Sequence, residues 1–197
     1  TIEHLIKRVK NSKLADVIVL CTTTLPEDDI LCQIAEDNNI KYYRGSVKDK
    51  LERWKGACEK FNIDFFITAD GDDLFCEPTL IDLALNQYIT SKPDFIQTNE
   101  VVCGAFTFGI KYSALKKVCE IKGTDDTELM WVYFTDTGLF NVENLKNIPQ
   151  LYKRKDIRMT LDYEDDFEFF KNVINYFNGE KFGLDDILSY ILGLIFH

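Results

Sequence analysis

Ile67-Thr68-Ala69-Asp70-Gly71-Asp72-Asp73-Leu74 is the stretch that decides the fold of this chain. The β-run Asp64-Phe65-Phe66-Ile67 leads into it and breaks off in three carboxylates around a glycine. Carboxylates in that setting need a cation. In an open α/β sheet the ligand crevice lies beyond the carboxyl ends of the strands, so these acids are placed to hold a divalent metal carrying phosphates. Asp70 and Asp72 are two apart and face one side if the extended conformation persists. Gly71 lets backbone and ligand approach closely. The competing reading makes the same acids turn and helix-start residues ahead of Glu77-Pro78, because Asp favours turns and N-caps.

Outward from this stretch the periodicity alternates between strand and helix. Ile2 to Lys10 reads as an amphipathic helix, and Val17-Ile18-Val19-Leu20-Cys21 as a buried strand ending at Thr22-Thr23-Thr24. A helix follows Pro26, with Ile30, Leu31, Ile34 and Ala35 on one face; Ile40-Lys41-Tyr42-Tyr43 is the next strand, running into Arg44-Gly45-Ser46. Residues 49 to 60 form a helix with Leu51, Trp54, Ala57, Cys58 and Phe61 inward, and strand 64 to 69 follows. Beyond the acidic loop come a helix at 79 to 89, a strand at 95 to 97 and an aromatic strand at 101 to 110. A helix at 112 to 120, a helix or turn at 126 to 134, a strand at 139 to 143, an extended segment at 157 to 162 and a helix at 164 to 177 complete the series. This order implies an α/β fold with a mostly parallel sheet. The chain nevertheless begins in mid-helix, whereas such a fold usually opens with a central strand and a ligand-binding loop.

Composition narrows the chemistry. The 197 residues fit one domain, and 46% hydrophobic with 28% charged is an ordinary globular balance. A formal net charge of −10 argues against a nucleic-acid surface. Cys21, Cys32, Cys58, Cys76, Cys103 and Cys119 are scattered singly, as reduced core cysteines would be, and form no CxxC pair. His4 and His197 are the whole histidine complement, which leaves carboxylates, Lys, Arg and backbone amides to carry any chemistry. No apolar run reaches the roughly 18 residues of a membrane span, so a cytoplasmic protein without membrane partners is expected. The apolar tail from 184 to 196 is read as a helix docking on the domain or on another subunit.

Taken together, Tyr43-Arg44-Gly45-Ser46 with Leu51 and Arg53, Gly71-Asp72 six residues before Pro78, and Thr160-Leu161-Asp162 resemble the cytidylyltransferase family. The likeness is greatest to its spore-coat polysaccharide (SpsF-like) branch, related to acylneuraminate and KDO cytidylyltransferases, and runs from Ile2 to about Leu188. The resemblance implies a Rossmann-like three-layer nucleotidyltransferase fold, CTP as donor, Mg²⁺ as cofactor and an acidic sugar or similar small acid as acceptor, with pyrophosphate leaving. Residue by residue, Asp72 and Asp162 match the metal-holding acids, a donor set suited to Mg²⁺ bridging a triphosphate. Arg44, Gly45 and Ser46 match the family's Arg-Gly-Ser turn, Arg53 the arginine one turn into the next helix, and Thr22, Thr23 and Asp70 stand at the nucleotide end of their strands. For Arg53 a surface ion pair with Glu52 or Asp49 is the alternative.

The chain departs from the family in three places. The family's opening strand and triphosphate-cradling loop would lie before Thr1, and without them inefficient turnover of CTP is expected. Leu74 replaces the usual proline after the metal aspartate, and Asp70 is an extra acid. Gly104-Ala105-Phe106-Thr107-Phe108-Gly109 carries aromatics where the branch tends to carry acids, as either an altered acceptor pocket or a buried strand. Two other functions compete. Asp70-Gly71-Asp72 also reads as the Asp-x-Asp motif of a GT-A glycosyltransferase, and a non-catalytic relative would retain the fold alone. Asp125-Asp126 and Glu128 are weak site candidates, Glu164, Asp165 and Asp166 suit the first turn of a helix, and Leu129 to Phe134 is a homodimer contact or interior packing.

Overall fold

The computed structural model describes residues 1–125 and 127–195; Asp126 and Phe196, which the sequence reading had touched, lie outside them. Helix α1 (Ile2–Val9) leads to strand β1 (Val19–Thr23), a 3-10 turn at Pro26–Asp28 and helix α2 (Asp29–Asp37). Strand β2 (Lys41–Gly45) then lies parallel to β1, in register from Val19 opposite Lys41 to Thr23 opposite Gly45. Helix α3 (Lys50–Phe61) starts where the Asp49 carboxylate accepts the Glu52 N–H at 3.1 Å, and ends where Asn62 turns left-handed at φ 54°. These are the cap chemistries expected at each end, since an Asp side chain satisfies an orphan amide and Asn tolerates positive φ. Strand β3 (Phe65–Ile67) follows, and then the acidic loop.

Helix α4 (Pro78–Ser91) opens with Pro at its first position and a Glu77 cap that accepts the Thr79 N–H at 3.1 Å. Strand β4 (Phe95–Gln97), strand β5 (Gly109–Lys111), helix α5 (Tyr112–Ile121), the short helix α6 (Val132–Thr135) and strand β6 (Val142–Asn144) build the second sheet and its cover. The strand order is β3-β5-β4-β6. β4 and β6 are parallel, whereas β5 runs antiparallel to both its neighbours, so the sheet is mixed. Helices α7 (Glu164–Phe177) and α8 (Leu184–Ile195) close the fold.

Two apolar clusters hold the sheet. Phe75, Leu80, Ala84, Ile96, Met159 and Phe170 form one with the α8 residues Leu184, Ile187 and Leu188, so the apolar tail docks on its own chain. Leu51, Phe95, Ile110, Leu115 and Phe134 form the other, beneath α3 and α5. Between the two sheets lies a cavity of about 1160 Å³, lined by Val19 and Leu20 of β1, by Phe65 and Ile67 of β3, and by apolar residues of α1, α3 and α4. Among the described residues β1 ladders with β2 and β3 with β5, so each presents its other edge to this cavity.

Several sequence expectations shift. The aromatic strand at 101 to 110 is a strand only at Gly109–Lys111. The preceding residues turn at Gly104, φ +88°, and meet the later chain through a Val102 N–H to Tyr152 C=O bond and a parallel bridge of Cys103 with Arg158, which among the described residues is the one bridge made by the segment expected to be extended at 157 to 162. Ile30 is exposed, whereas Ala35 is buried as expected and Cys32 is buried with it. Cys103 is exposed too, and Cys21 and Cys119 are half-buried, so only Cys32, Cys58 and Cys76 are core thiols. Among the described residues no helix is long and apolar enough to cross a membrane.

Candidate active site

The loop after β3 is built by turns. Asp70 C=O accepts the Asp73 N–H at 3.0 Å, and Asp73 C=O accepts the Cys76 N–H at 2.9 Å, so the backbone reverses tightly and the carboxylates fan out from it. The turn reading therefore holds for the main chain, while the Asp70 side chain pairs with Lys50 and the Asp73 side chain accepts from Thr107. Asp72 and Asp70 line the large cavity and also a second one of about 390 Å³, walled by Thr98, Asn99, Cys103, Thr107, Lys155 and Thr160. The two acids thus stand at the junction of two cavities.

The second predicted acid arrives from the other end of the chain. Leu161 N–H donates to Asp72 C=O at 3.0 Å, which sets the Thr160-Leu161-Asp162 segment directly against the acidic loop. Asp162 accepts a hydrogen bond from Thr160 Oγ1 at 2.8 Å and pairs with the Arg158 guanidinium, which also binds Asp166 at 2.6 Å. Asp166 in turn accepts the Asp162 and Tyr163 N–H groups at 3.0 and 2.9 Å, so it caps α7, as its first-turn position suggested. Those amides and Arg158 hold its carboxyl below the usual range. No three His, Cys, Asp or Glu side chains converge into a metal cage among the described residues.

Asp73 went unremarked as a separate group in the sequence. It is 7% exposed, and Thr107 Oγ1 donates to it at 3.2 Å. Burial, then the neighbouring Asp72 and Asp70, push its carboxyl up to about 7. Only its place in the run of acids could have flagged it, because burial is a tertiary property.

The predicted nucleotide-end residues divide. Thr22 Oγ1 and Thr23 N–H both donate to Asp28, at 2.8 and 2.9 Å. Arg44 bonds Thr23 C=O, Asp29 and Leu25 C=O at 2.9, 2.6 and 2.7 Å. These three residues fix the loop between β1 and α2, and line neither cavity. Gly45 admits the close approach of α3: a Cβ there would meet Tyr43 at 2.8 Å and the Arg53 side chain at 3.1 Å. Ser46 shapes the entry to α3, its Oγ accepting the Asp49 N–H at 3.1 Å and its C=O accepting from Arg53 at 2.6 Å. Neither Glu52 nor Asp49 pairs with Arg53: Glu52 binds Lys55, and Asp49 binds Lys122. Arg53 lines the large cavity, where its Nε is buried without a partner among the described residues. A buried guanidinium nitrogen without a partner is suited to receiving an anion. Lys50, absent from the sequence reading, also lies here, 2.9 Å from Asp70.

Helices pack on a mixed sheet, and acids at a strand end share one cavity with Lys50 and Arg53; the class is an α/β protein of nucleotidyltransferase-like fold. The comparisons with known proteins are narrower. The cytidylyltransferase family model matches residues 1–181, and the chain belongs to that family. It is 24% identical over 177 residues to the spore coat polysaccharide biosynthesis protein SpsF of Bacillus subtilis, spanning 86% of this chain and 73% of that one. In fold it is similar to a cytidylyltransferase from Leptospira borgpetersenii, at TM-score 0.86 and 24% identity, over 98% of this chain and 82% of the other. It is also similar to a CMP:2-keto-3-deoxy-manno-octonic acid synthetase complexed with CTP, at TM-score 0.63 and 11% identity, over 89% and 87%.

Proposed function

We propose that this chain transfers CMP from CTP to an acidic sugar or similar small acid, releasing pyrophosphate, in glycan or polysaccharide biosynthesis. The observation that carries this reading is the position of Asp70 and Asp72 on the wall shared by two cavities, one holding Arg53 and Lys50 and the other holding Thr98, Asn99 and Lys155. The first suits the donor's phosphates; the second, polar and smaller, suits the acceptor. Asp72 and Asp162 are the residues that would hold Mg²⁺, which when bound neutralises phosphate charge and lowers the barrier at the α-phosphorus. Two hard carboxylates on segments joined by the Leu161–Asp72 backbone hydrogen bond would suit that ion, Asp162 being held in this structure by Thr160 and Arg158.

The chain's own groups supply positioning. Arg53 offers its Nε to a phosphate oxygen. Arg158 holds Asp162 in place through the Asp166 network, and Arg44, Thr22 and Thr23 keep the β1–α2 loop in shape. Exposed Leu129 and Trp131, at 61% and 37%, support a homodimer contact. The need for CTP supports a cytoplasmic location. The test is calorimetric titration of CTP in the presence and absence of Mg²⁺: Asp72→Asn and Asp162→Asn each abolish the metal-dependent part of binding. Unchanged titrations in both variants remove the two-carboxylate proposal.

A further inference from the structure

Lys50 lies where the two charge signs of the site meet. Its ammonium is 2.9 Å from Asp70 Oδ1, in a pair whose side chains are 31% and 33% exposed. The same ammonium stands 5.1 Å from the Trp54 ring centroid. Trp54 is four residues further along α3, so one helix face presents both the cation and the ring that supports it. The main chain fixes the base of the side chain: Asp49 caps the helix, and Lys50 N–H donates to Thr127 Oγ1 at 2.8 Å.

Other cations near the site are engaged differently. Arg44 is tied by all three of its nitrogens to the β1–α2 loop. Lys122 is paired with Asp49, and Arg158 with Asp162 and Asp166. Lys50 shares the wall of the large cavity with Arg53, Asp70 and Asp72. A lysine ammonium is a compact point charge on a flexible stem and can change partners, whereas a forked guanidinium bonded to several groups cannot readily do so.

We propose that Lys50 is a polyphosphate-binding residue kept in place by Asp70. It neutralises Asp70 while no nucleotide is bound and moves to a phosphate oxygen of a bound nucleoside triphosphate. The inference rests on the nucleotidyltransferase reading and adds one donor-side contact to it. Asp70 has a defined purpose in this arrangement. It keeps the ammonium at the cavity wall, where that positive charge partly offsets the repulsion among Asp70, Asp72 and Asp73.

The test is calorimetric titration of inorganic tripolyphosphate, CTP, UTP and ATP into wild type, Lys50→Gln, Lys50→Met and Asp70→Asn, with chelator and with Mg²⁺. Loss of one charge-assisted hydrogen bond weakens both tripolyphosphate and CTP by about tenfold to a hundredfold in the two Lys50 variants and flattens the salt dependence. Asp70→Asn frees the ammonium and strengthens metal-free tripolyphosphate binding severalfold. A merely structural ion pair would make the substitutions at 50 and 70 act in the same direction. Lys50→Met retains the apolar stem over Trp54 and stands in if Lys50→Gln does not fold. The proposal is overturned if the Lys50 variants bind both ligands within about twofold of wild type, or if Asp70→Asn weakens metal-free binding as they do. Lys50-dependent tripolyphosphate binding without preference for CTP over other triphosphates keeps this assignment and ends the cytidylyltransferase reading. CTP binding that is indifferent to Lys50 ends this assignment alone, and a wild type that binds neither ligand ends both.

Discussion

Replacing Asp73 by Asn separates the stability of the site from its charge. In the folded protein the Asp73 carboxyl is pushed up to about 7 by burial and by Asp72 and Asp70, against about 3.9 in an unfolded chain. Between those values the folded state holds a proton that the unfolded state has released, so stability falls as pH rises through the window and is lowest above it. From pH 5 to pH 8 the titration covers about two pH units, a ceiling of about 3 kcal/mol at 1.36 kcal/mol per unit. Water in the adjoining cavity and local relaxation reduce this to about 1–2 kcal/mol. Asn keeps an oxygen to accept the Thr107 hydroxyl and carries no charge at any pH. Urea unfolding of both proteins at pH 5 and pH 8, without metal, is the assay. The wild type should lose about 1–2 kcal/mol relative to the variant across that interval, with Asp73→Asn the more stable at pH 8. Parallel behaviour of the two proteins would refute the argument, because every other titrating group is common to both.

His4 gives a dependence of opposite sign. Its ring packs against Phe75 and Phe182, its buried Nε2 has no partner among the described residues, and burial and then Arg8 lower its pKa to about 4. Below the unfolded value of 6.5 only the unfolded chain takes up the proton, so stability drops as pH falls from 6.5 towards 4, and His4→Phe should remove that drop in acid unfolding curves. Arg8→Met leaves Glu77 buried without its 3.2 Å partner, and should cost about 3–5 kcal/mol by urea unfolding. Gly104→Ala sets a Cβ 2.1 Å from Met159 C=O at a φ of +88°. It should lower stability by about 2–4 kcal/mol and, by displacing the segment that carries Asp162, weaken metal-dependent CTP binding in the same calorimetric experiment.

Most of the fold was legible because its signals are local. The Asp49 cap and Asn62 stop bound α3 within a residue of the expected helix, and Pro78 and the Glu77 cap start α4 where the pattern did. The apolar tail reads as a docking helix because Leu184, Ile187 and Leu188 fall at helical spacing. Residues 101 to 108 misled because their burial comes from tertiary packing: Val101, Val102, Ala105 and Phe106 are buried around a Gly104 turn, and aromatic composition alone does not distinguish that from a strand. The site was half legible. Asp70, Asp72 and Asp162 are named by a strand end and a motif, whereas the approach of their two chain segments rests on a backbone hydrogen bond between Leu161 and Asp72, 89 residues apart by their numbers in the chain. Lys50 and Asp73 were passed over because the first looks like an ordinary helix-start lysine and the second like one more turn acid. Thr22, Thr23 and Arg44 carried the right motif position, but their hydrogen bonds go to the β1–α2 loop.

The central claim is tested most directly by pyrophosphate release with CTP, UTP, ATP and GTP against a panel of acidic sugars in the presence of Mg²⁺. The account predicts release with CTP, dependent on one class of acidic acceptor and lost in Asp72→Asn. Equal release from all four nucleotides, or none from any of them, would contradict it.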